Sequence, residues 1–264
     1  MLRNAFLKNL HDQRRGLLGW GVGIVAVVLL ESALWPSISN MAGLRDFLNS
    51  YPEPLRKLFN MDQFVTGTGF LNAELFSMLL PILFLVFAIG RGARAVAGEK
   101  ESGVLEVLLI TRLSPIRLVL DQAAVLATAV GALAVVLFGA IVVGSTIFGL
   151  GISIAAAATG ALAMALIGIE FGWLALALGL ATGRRIVALG GASVFAVAAY
   201  VLYVASKIVD GVRPLGPWSP FHQAIEGGPL GAGLPPVFGW LVLAGAVAVL
   251  AALPVFDRRD IAGV

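Results

Sequence analysis

Six long apolar stretches dominate this chain of 264 residues and limit the folds open to it. Each stretch reaches the roughly 20 mostly apolar residues that a helix needs to cross the hydrocarbon core of a bilayer. A water-soluble core cannot account for them, because 59% of the residues are apolar and only 12% are charged, against about 25% charged in an average soluble domain. The sequence therefore predicts an all-α integral membrane protein, a single domain over 1–264, with spans at about 17–35, 72–96, 118–148, 152–182, 186–206 and 237–256.

The positions of Lys and Arg orient these spans, since cytoplasmic loops carry an excess of basic residues. With the N-terminus in the cytoplasm, 13 of the 18 basic residues lie inside, and the even number of spans also puts the basic C-terminus inside. Abundant Arg, Ala and Gly favour a prokaryotic source, so we expect a multi-pass protein of the plasma (inner) membrane with both termini cytoplasmic. The inside set is Arg3, Lys8, Arg14, Arg15, Arg91, Arg94, Lys100, Arg112, Arg117, Arg184, Arg185, Arg258 and Arg259, and the outside set is Arg45, Arg56, Lys57, Lys207 and Arg213.

Three further segments surround the predicted spans. Residues 1–16 place apolar side chains on one helical face and basic ones around it, which predicts an interfacial helix on the inner leaflet. A frayed basic tail that only orients the chain is the alternative. Residues 36–71 and 207–236 are predicted to be extracytoplasmic loops, the second of them rich in Gly and Pro.

Several classes of function are excluded by composition. The net charge of +3 is too small and too scattered for a nucleic-acid surface, and no Cys is present for disulfides or thiolate metal sites. Only two His occur, and they lie at opposite ends of the chain. No HExxH or GxSxG motif is found, so we expect no catalytic residue, no bound metal and no cofactor on this chain.

The connection between the second and third spans, residues 91–122, is the most informative stretch. It reads RGARAVAGEKESGVLEVLLITRLSPIRLVLDQ, with a helix-breaking Gly103 and a Ser114-Pro115 pair typical of a helix start. Apolar residues recur between them at helical spacing, which predicts a short amphipathic helix at the cytoplasmic surface; a plain interfacial connector is the alternative. These apolar residues are Val104, Leu105, Leu108 and Leu109, with Glu106 and Arg112 off their face.

Part of this connection resembles a known family. The run GEKESGVLEVLLITRLSPIRLVLDQ resembles the segment before the third span in permease subunits of type-2 ABC exporters, where a Glu-rich stretch, a Gly, a Leu-rich helix and a Pro-x-x-Arg step follow one another. The late WSPFHQAIEGGPLGAG is similar to that family's Ser-Pro-Phe followed by Pro-Leu and Gly, and the six-span plan also agrees. The chain departs from many relatives at Asp121-Gln122, where they place a Lys, so no role is carried over there.

The resemblance implies a coupling helix that docks into a separate ATP-binding subunit and transmits its closure to the membrane. It also implies two copies of that ATPase and a second permease chain (identical or similar). An apolar cavity between the spans would suit export of a hydrophobic or amphipathic substrate. ATP and Mg would be bound by the ATPase, consistent with the lack of a GxxxxGK[ST] phosphate loop here. The coupling residues implied are Glu99, Glu101, Gly103, Leu105, Glu106, Leu108, Leu109 and Arg112.

Glu170 is the one carboxylate in the middle of a predicted span, flanked by Gly168 and Gly172. A charged side chain at this depth costs about 2.5–3.5 kcal/mol on insertion scales and usually faces a bundle interior or a wet cavity. It is either a polar point on a substrate pathway or dimer contact, or a packing residue beside two close-packing glycines. Two alternative functions follow for the chain: a proton-coupled secondary transporter that uses Glu170, or a membrane scaffold or assembly factor that transports nothing.

Overall fold

The computed structural model of the chain describes residues 14–41, 43, 50–52, 64–95, 115–231, 233 and 235–261. All regular structure in this part is helical, and no strand occurs within it. The prediction of an all-α protein is therefore confirmed for the described part of the chain.

Five long apolar helices make up most of the molecule: α1 (Arg14–Ser39), α2 (Gly67–Ala95), α3 (Pro115–Phe148), α4 (Ile154–Thr182) and α5 (Arg185–Ile208). At 1.5 Å per residue, the 24 residues of α5 extend over about 36 Å, more than the roughly 30 Å of a hydrocarbon core. Large apolar side chains also face outward, and Val22, Ile186 and Val194 are 69%, 82% and 69% exposed. The five helices thus have the length and surface of membrane spans, as expected of a multi-pass membrane protein.

Two short helices and one more long helix complete the described chain after α5. They are a 3-10 helix (Arg213–Trp218), α6 (Pro220–Ile225) and α7 (Phe238–Ile261). The apolar part of α7, Phe238–Pro254, is shorter than the five long helices, so the sixth span stays a prediction. Residues 1–13 of the predicted interfacial helix lie outside the described residues, and so does the whole of the predicted coupling helix.

The first two long helices extend further than the predicted spans. Helix α1 continues through Pro36 to Ser39, and α2 begins at Gly67. Thr66 caps α2, because its hydroxyl accepts a hydrogen bond from the Gly69 amide at 3.0 Å. The loop between these spans is therefore shorter at both ends than the predicted 36–71.

The first half of helix α2 contains a π-helical segment. Residues Asn72–Leu79 form a π-helix between two α-helical parts, and the Leu80 amide bonds back to the Leu75 carbonyl. Pro81 follows directly and has no N–H, so the Ser77 carbonyl lacks its usual α-helical donor. The Tyr200 hydroxyl of α5 donates to that carbonyl at 3.4 Å, which links the two helices at this irregular point.

Helix α4 lies at the centre of the bundle. It packs against α2, α3, α5 and α7. In its most apolar part 67% of the residues are buried, a larger share than in the other four long helices. Small residues permit this close packing, as is usual for helices in lipid. The closest approach is between α2 and α4, where a Cβ added to Gly92 would overlap the carbonyl oxygen of Gly172.

Tight turns join α3 to α4 and α4 to α5. In the first, Gly149 and Gly151 both have φ of 70°, a conformation that other residues rarely adopt. Ser145 stabilises this turn, since its hydroxyl accepts a hydrogen bond from the Ile152 amide at 2.9 Å. Short turns of this kind make α3, α4 and α5 sequential neighbours, with α4 between the other two.

Candidate functional site: an apolar groove and a buried carboxylate

The predicted coupling residues all fall in the stretch 96–114, outside the described residues. Their role in binding an ATPase therefore stays a prediction. The structure does describe the two helices that this stretch joins, since α2 ends at Ala95 and α3 begins at Pro115. Pro115 is thus the first described residue of α3, and the predicted cap at Ser114 lies outside the described residues. The eight residues concerned are Glu99, Glu101, Gly103, Leu105, Glu106, Leu108, Leu109 and Arg112.

Glu170 lies inside the bundle, where α4 meets α7. Its side chain is 8% exposed, and its Oε2 has no hydrogen-bond partner among the described residues. Helix α7 comes close to the backbone here, because a Cβ added to Gly245 would lie 3.1 Å from the Glu170 Cα. A buried carboxylate oxygen without a partner is costly, so this residue is a candidate for proton or donor binding.

The two glycines that flank Glu170 in sequence serve a different contact. A Cβ on Gly168 would lie 3.1 Å from Val130 of α3, and one on Gly172 would lie 2.8 Å from Leu126 of α3. Residues two apart on a helix point in nearly opposite directions, so Glu170 faces away from the contacts that the glycines make with α2 and α3. The glycines are thus close-packing residues and do not form a site together with the carboxylate.

An apolar groove with a volume of about 470 Å³ runs between α2 and α5. It extends along α2 from Met78 to Gly90 and along α5 from Leu189 to Tyr200. The twelve steps from Met78 to Gly90 correspond to about 18 Å of helix, more than one leaflet of a hydrocarbon core. The remaining lining residues are Ile82, Leu85, Val86, Ile89, Ser193, Ala196, Val197 and Phe221.

The lining of the groove limits what it can bind. None of the described residues that line it is charged, and its side-chain hydroxyls belong to Ser193 and Tyr200 alone. Tyr200 already bonds the Ser77 carbonyl. Such a surface suits an extended hydrocarbon chain and has nothing to stabilise a charged group.

Aromatic rings close one end of the groove. Phe221 of α6 contacts Tyr200 edge to face, with ring centroids 5.1 Å apart, and also packs against Phe171 of α4. Ser219 holds Phe221 in place, because its hydroxyl accepts the Phe221 amide hydrogen bond at 3.2 Å and donates to the Ala199 carbonyl at 2.8 Å. The Ser-Pro-Phe run of the sequence thus starts α6 and inserts a ring into the bundle.

A second hydrogen bond fixes the chain after α6. The Leu230 amide donates to Oδ1 of Asn72, the first residue of the π-helix, at 3.2 Å. Asn72 and Leu230 are both buried, at 5% and 1% exposure. The Pro-Leu part of the late sequence run therefore packs against the first half of α2.

The groove is the feature that sequence reasoning did not find. Its walls come from helices that are apolar on every side, so hydropathy alone does not show which faces meet. Small residues along α5, such as Ser193 and Ala196, are the signal that could have indicated a concave wall. The described residues contain no cluster of three or more His, Cys, Asp or Glu that could hold a metal ion.

A scan against protein-family models and searches of curated proteins and of solved structures found no match to this chain. Its function is therefore inferred from its own residues.

Proposed function

We propose that the chain is the membrane-spanning permease subunit of an ATP-driven ABC exporter that moves a hydrophobic or amphipathic substrate. The observation that carries the transport part is the apolar groove between α2 and α5, whose length and lining suit an extended hydrocarbon chain. The ATP-driven part rests on the resemblance of residues 98–122 to the coupling segment of type-2 ABC exporters. The chain itself has no phosphate-binding loop, so hydrolysis would belong to a separate ATPase.

The proposed assembly contains two permease chains and two ATPases in a prokaryotic inner membrane. In each permease, α7 would be the sixth span, and both termini would lie in the cytoplasm. The excess of Lys and Arg on one side of the predicted spans supports this orientation. The coupling segment would then lie on the same side as the ATPase and its ATP.

The coupling segment gives the first test. Leu109→Glu places a charge on the apolar face of the proposed coupling helix, and we expect co-purification of the ATPase to fall about tenfold or more, as for a central interface residue. Reversal of Glu101 and Glu106 together should act in the same direction. Ile110→Glu makes the same change from an apolar side chain to a charged one on the opposite face of the helix, and serves as the matched control. Normal recovery of the ATPase with Leu109→Glu would contradict the coupling role.

Orientation gives the second test, which the natural absence of Cys makes clean. Single variants Ser50→Cys and Gly211→Cys should react with a membrane-impermeant thiol reagent added to intact cells. Both positions are exposed in the structure. Ser102→Cys and Asp260→Cys should react only after the cells are permeabilised. Labelling of position 102 in intact cells would overturn the orientation and the ATPase proposal with it.

One observation favours a second candidate function. The buried Glu170 has an oxygen without a hydrogen-bond partner in the described part of the chain, as a proton-binding residue of a secondary transporter would. In that alternative the chain would move its substrate with protons and without an ATPase. The two candidates differ in their energy source, so transport under ATP alone and under a proton gradient alone separates them.

A further inference from the structure

We propose that residues 209–226 form a lid over one end of the groove and that the ion pair between Lys207 and Glu226 holds this lid shut. The inference rests on the proposed function in one respect, because it treats the groove as the route of the substrate. We refer to residues 209–226 as the lid and to the Lys207–Glu226 pair as the latch.

The lid ends the groove on the side that the topology places outside the membrane. Met78 and Tyr200 are the last lining residues of α2 and α5 on that side, and Phe221 of the lid lies against Tyr200. Phe221 is 4% exposed, so its ring fills the space between the lid and the bundle. An occupant of the groove could reach the outer aqueous phase along the groove only if this ring moved.

The latch connects the lid to the bundle through a charged group that water hardly reaches. Lys207 belongs to the last turn of α5, and its Nζ lies 3.1 Å from Oε2 of Glu226, the residue that ends α6. The Lys207 side chain is only 9% exposed, and its ammonium lies 4.9 Å from the centroid of the Tyr203 ring. His222 places Nδ1 at 3.7 Å from the same carboxylate oxygen. The Glu226 side chain is itself 41% exposed, so it is the Lys207 ammonium that would remain buried without its partner if Glu226 were removed.

A second ion pair nearby provides a natural comparison. Asp210 and Arg213 approach to 2.8 Å, but their side chains are 89% and 68% exposed, and both belong to the lid itself. An exposed pair of neighbours in sequence contributes little, because water screens it and it joins no separate elements. The Asp210–Arg213 pair is therefore unable to act as a latch, although its charged atoms are closer together than those of Lys207 and Glu226.

The apolar contacts of the lid and the latch act together. Phe221, Ala224 and Ile225 are buried in the bundle and would lose these contacts when the lid opens. The lid is bounded by the end of α5 at Ile208 and by Gly227 and Gly228, whose φ values of 75° and 82° mark a sharp bend. The latch is the charged link between the lid and the bundle, so reversal of one of its charges would work against these contacts.

Thiol accessibility tests the latch without ATP or substrate. Ala196→Cys places the only thiol of the chain in the middle of the groove. In nanodiscs, a charged thiol reagent reaches the lid whichever way the chain is inserted and does not enter from the lipid, so the result does not depend on orientation. Entry through the other end of the groove is common to all variants and is part of the baseline rate of the parent. We expect Lys207→Glu and Glu226→Lys each to raise the labelling rate of the thiol at position 196 about tenfold, because like charges then face each other across the latch. The exchanged pair, Lys207→Glu with Glu226→Lys, should return the rate to that of the parent, and Asp210→Lys should leave it unchanged.

The same experiment can overturn the latch. Unchanged labelling in both single reversals, or raised labelling that the exchanged pair does not reverse, would contradict it. Should a reversal prevent folding, Glu226→Gln keeps the size of the side chain, and we expect a smaller rise of about threefold; no rise would count against the latch. A failure of ATP-driven transport would leave these rates unaffected, so the latch and the proposed function fail separately.

Discussion

Replacement of Gly92 by Ala is expected to lower the free energy of unfolding by about 3 kcal/mol, the upper part of the range for overpacked cores. The added methyl group would occupy the position of the Gly172 carbonyl oxygen on α4, and a backbone atom cannot rotate away as a side chain can. Helices α2 and α4 would have to separate, and the packing of Ala88 and Ala175 beside the contact would be lost with them. Unfolding in mixed detergent micelles with increasing dodecyl sulfate measures the change.

Gly90 provides the matched control on the same helix. A Cβ added there meets no atom within 4 Å, so Gly90→Ala should leave the stability unchanged or raise it by up to about 1 kcal/mol. Equal stability of the two variants would contradict the close contact between α2 and α4 at Gly92.

The sequence was sufficient for the class of fold and for the approximate positions of the long helices. Hydropathy identifies spans reliably, because a helix is the simplest way to pair every backbone group in lipid. Helix ends were harder to place. The extension of α1 through Pro36 and the start of α2 at Gly67 depend on a tolerated proline and on the Thr66 cap, and neither alters the hydropathy.

The sequence could not predict which faces of the helices pack against each other. Helix α4 is almost uniformly apolar around its circumference, so no periodic pattern indicates which side meets α2 or α7. The position of Glu170 shows the consequence. From the sequence, Glu170 and its flanking glycines could belong to one helix contact. In the structure, Gly172 packs against Leu126, whereas Glu170 lies beside Gly245. Only the three-dimensional arrangement separates the carboxylate from the close-packing residues.

The second large effect concerns the energy source of transport, on which the proposed function of this chain depends. An ABC permease moves its substrate only when its ATPase hydrolyses ATP. Glu170→Gln keeps the size and the hydrogen-bonding capacity of the side chain but removes the proton that a coupled transporter would carry. We therefore expect ATP-driven transport to persist in this variant, whereas a proton-coupled transporter would lose its activity completely.

The most direct test is reconstitution of the chain with its co-purifying ATPase in vesicles, with a fluorescent phospholipid and a lipophilic dye as trial substrates. Movement of either probe is measured under ATP alone and under a proton gradient alone, for the parent chain and for Glu170→Gln. We predict movement that requires ATP, does not respond to the gradient and survives in Glu170→Gln. Movement that requires the gradient, proceeds without ATP and disappears in Glu170→Gln would contradict the proposed function.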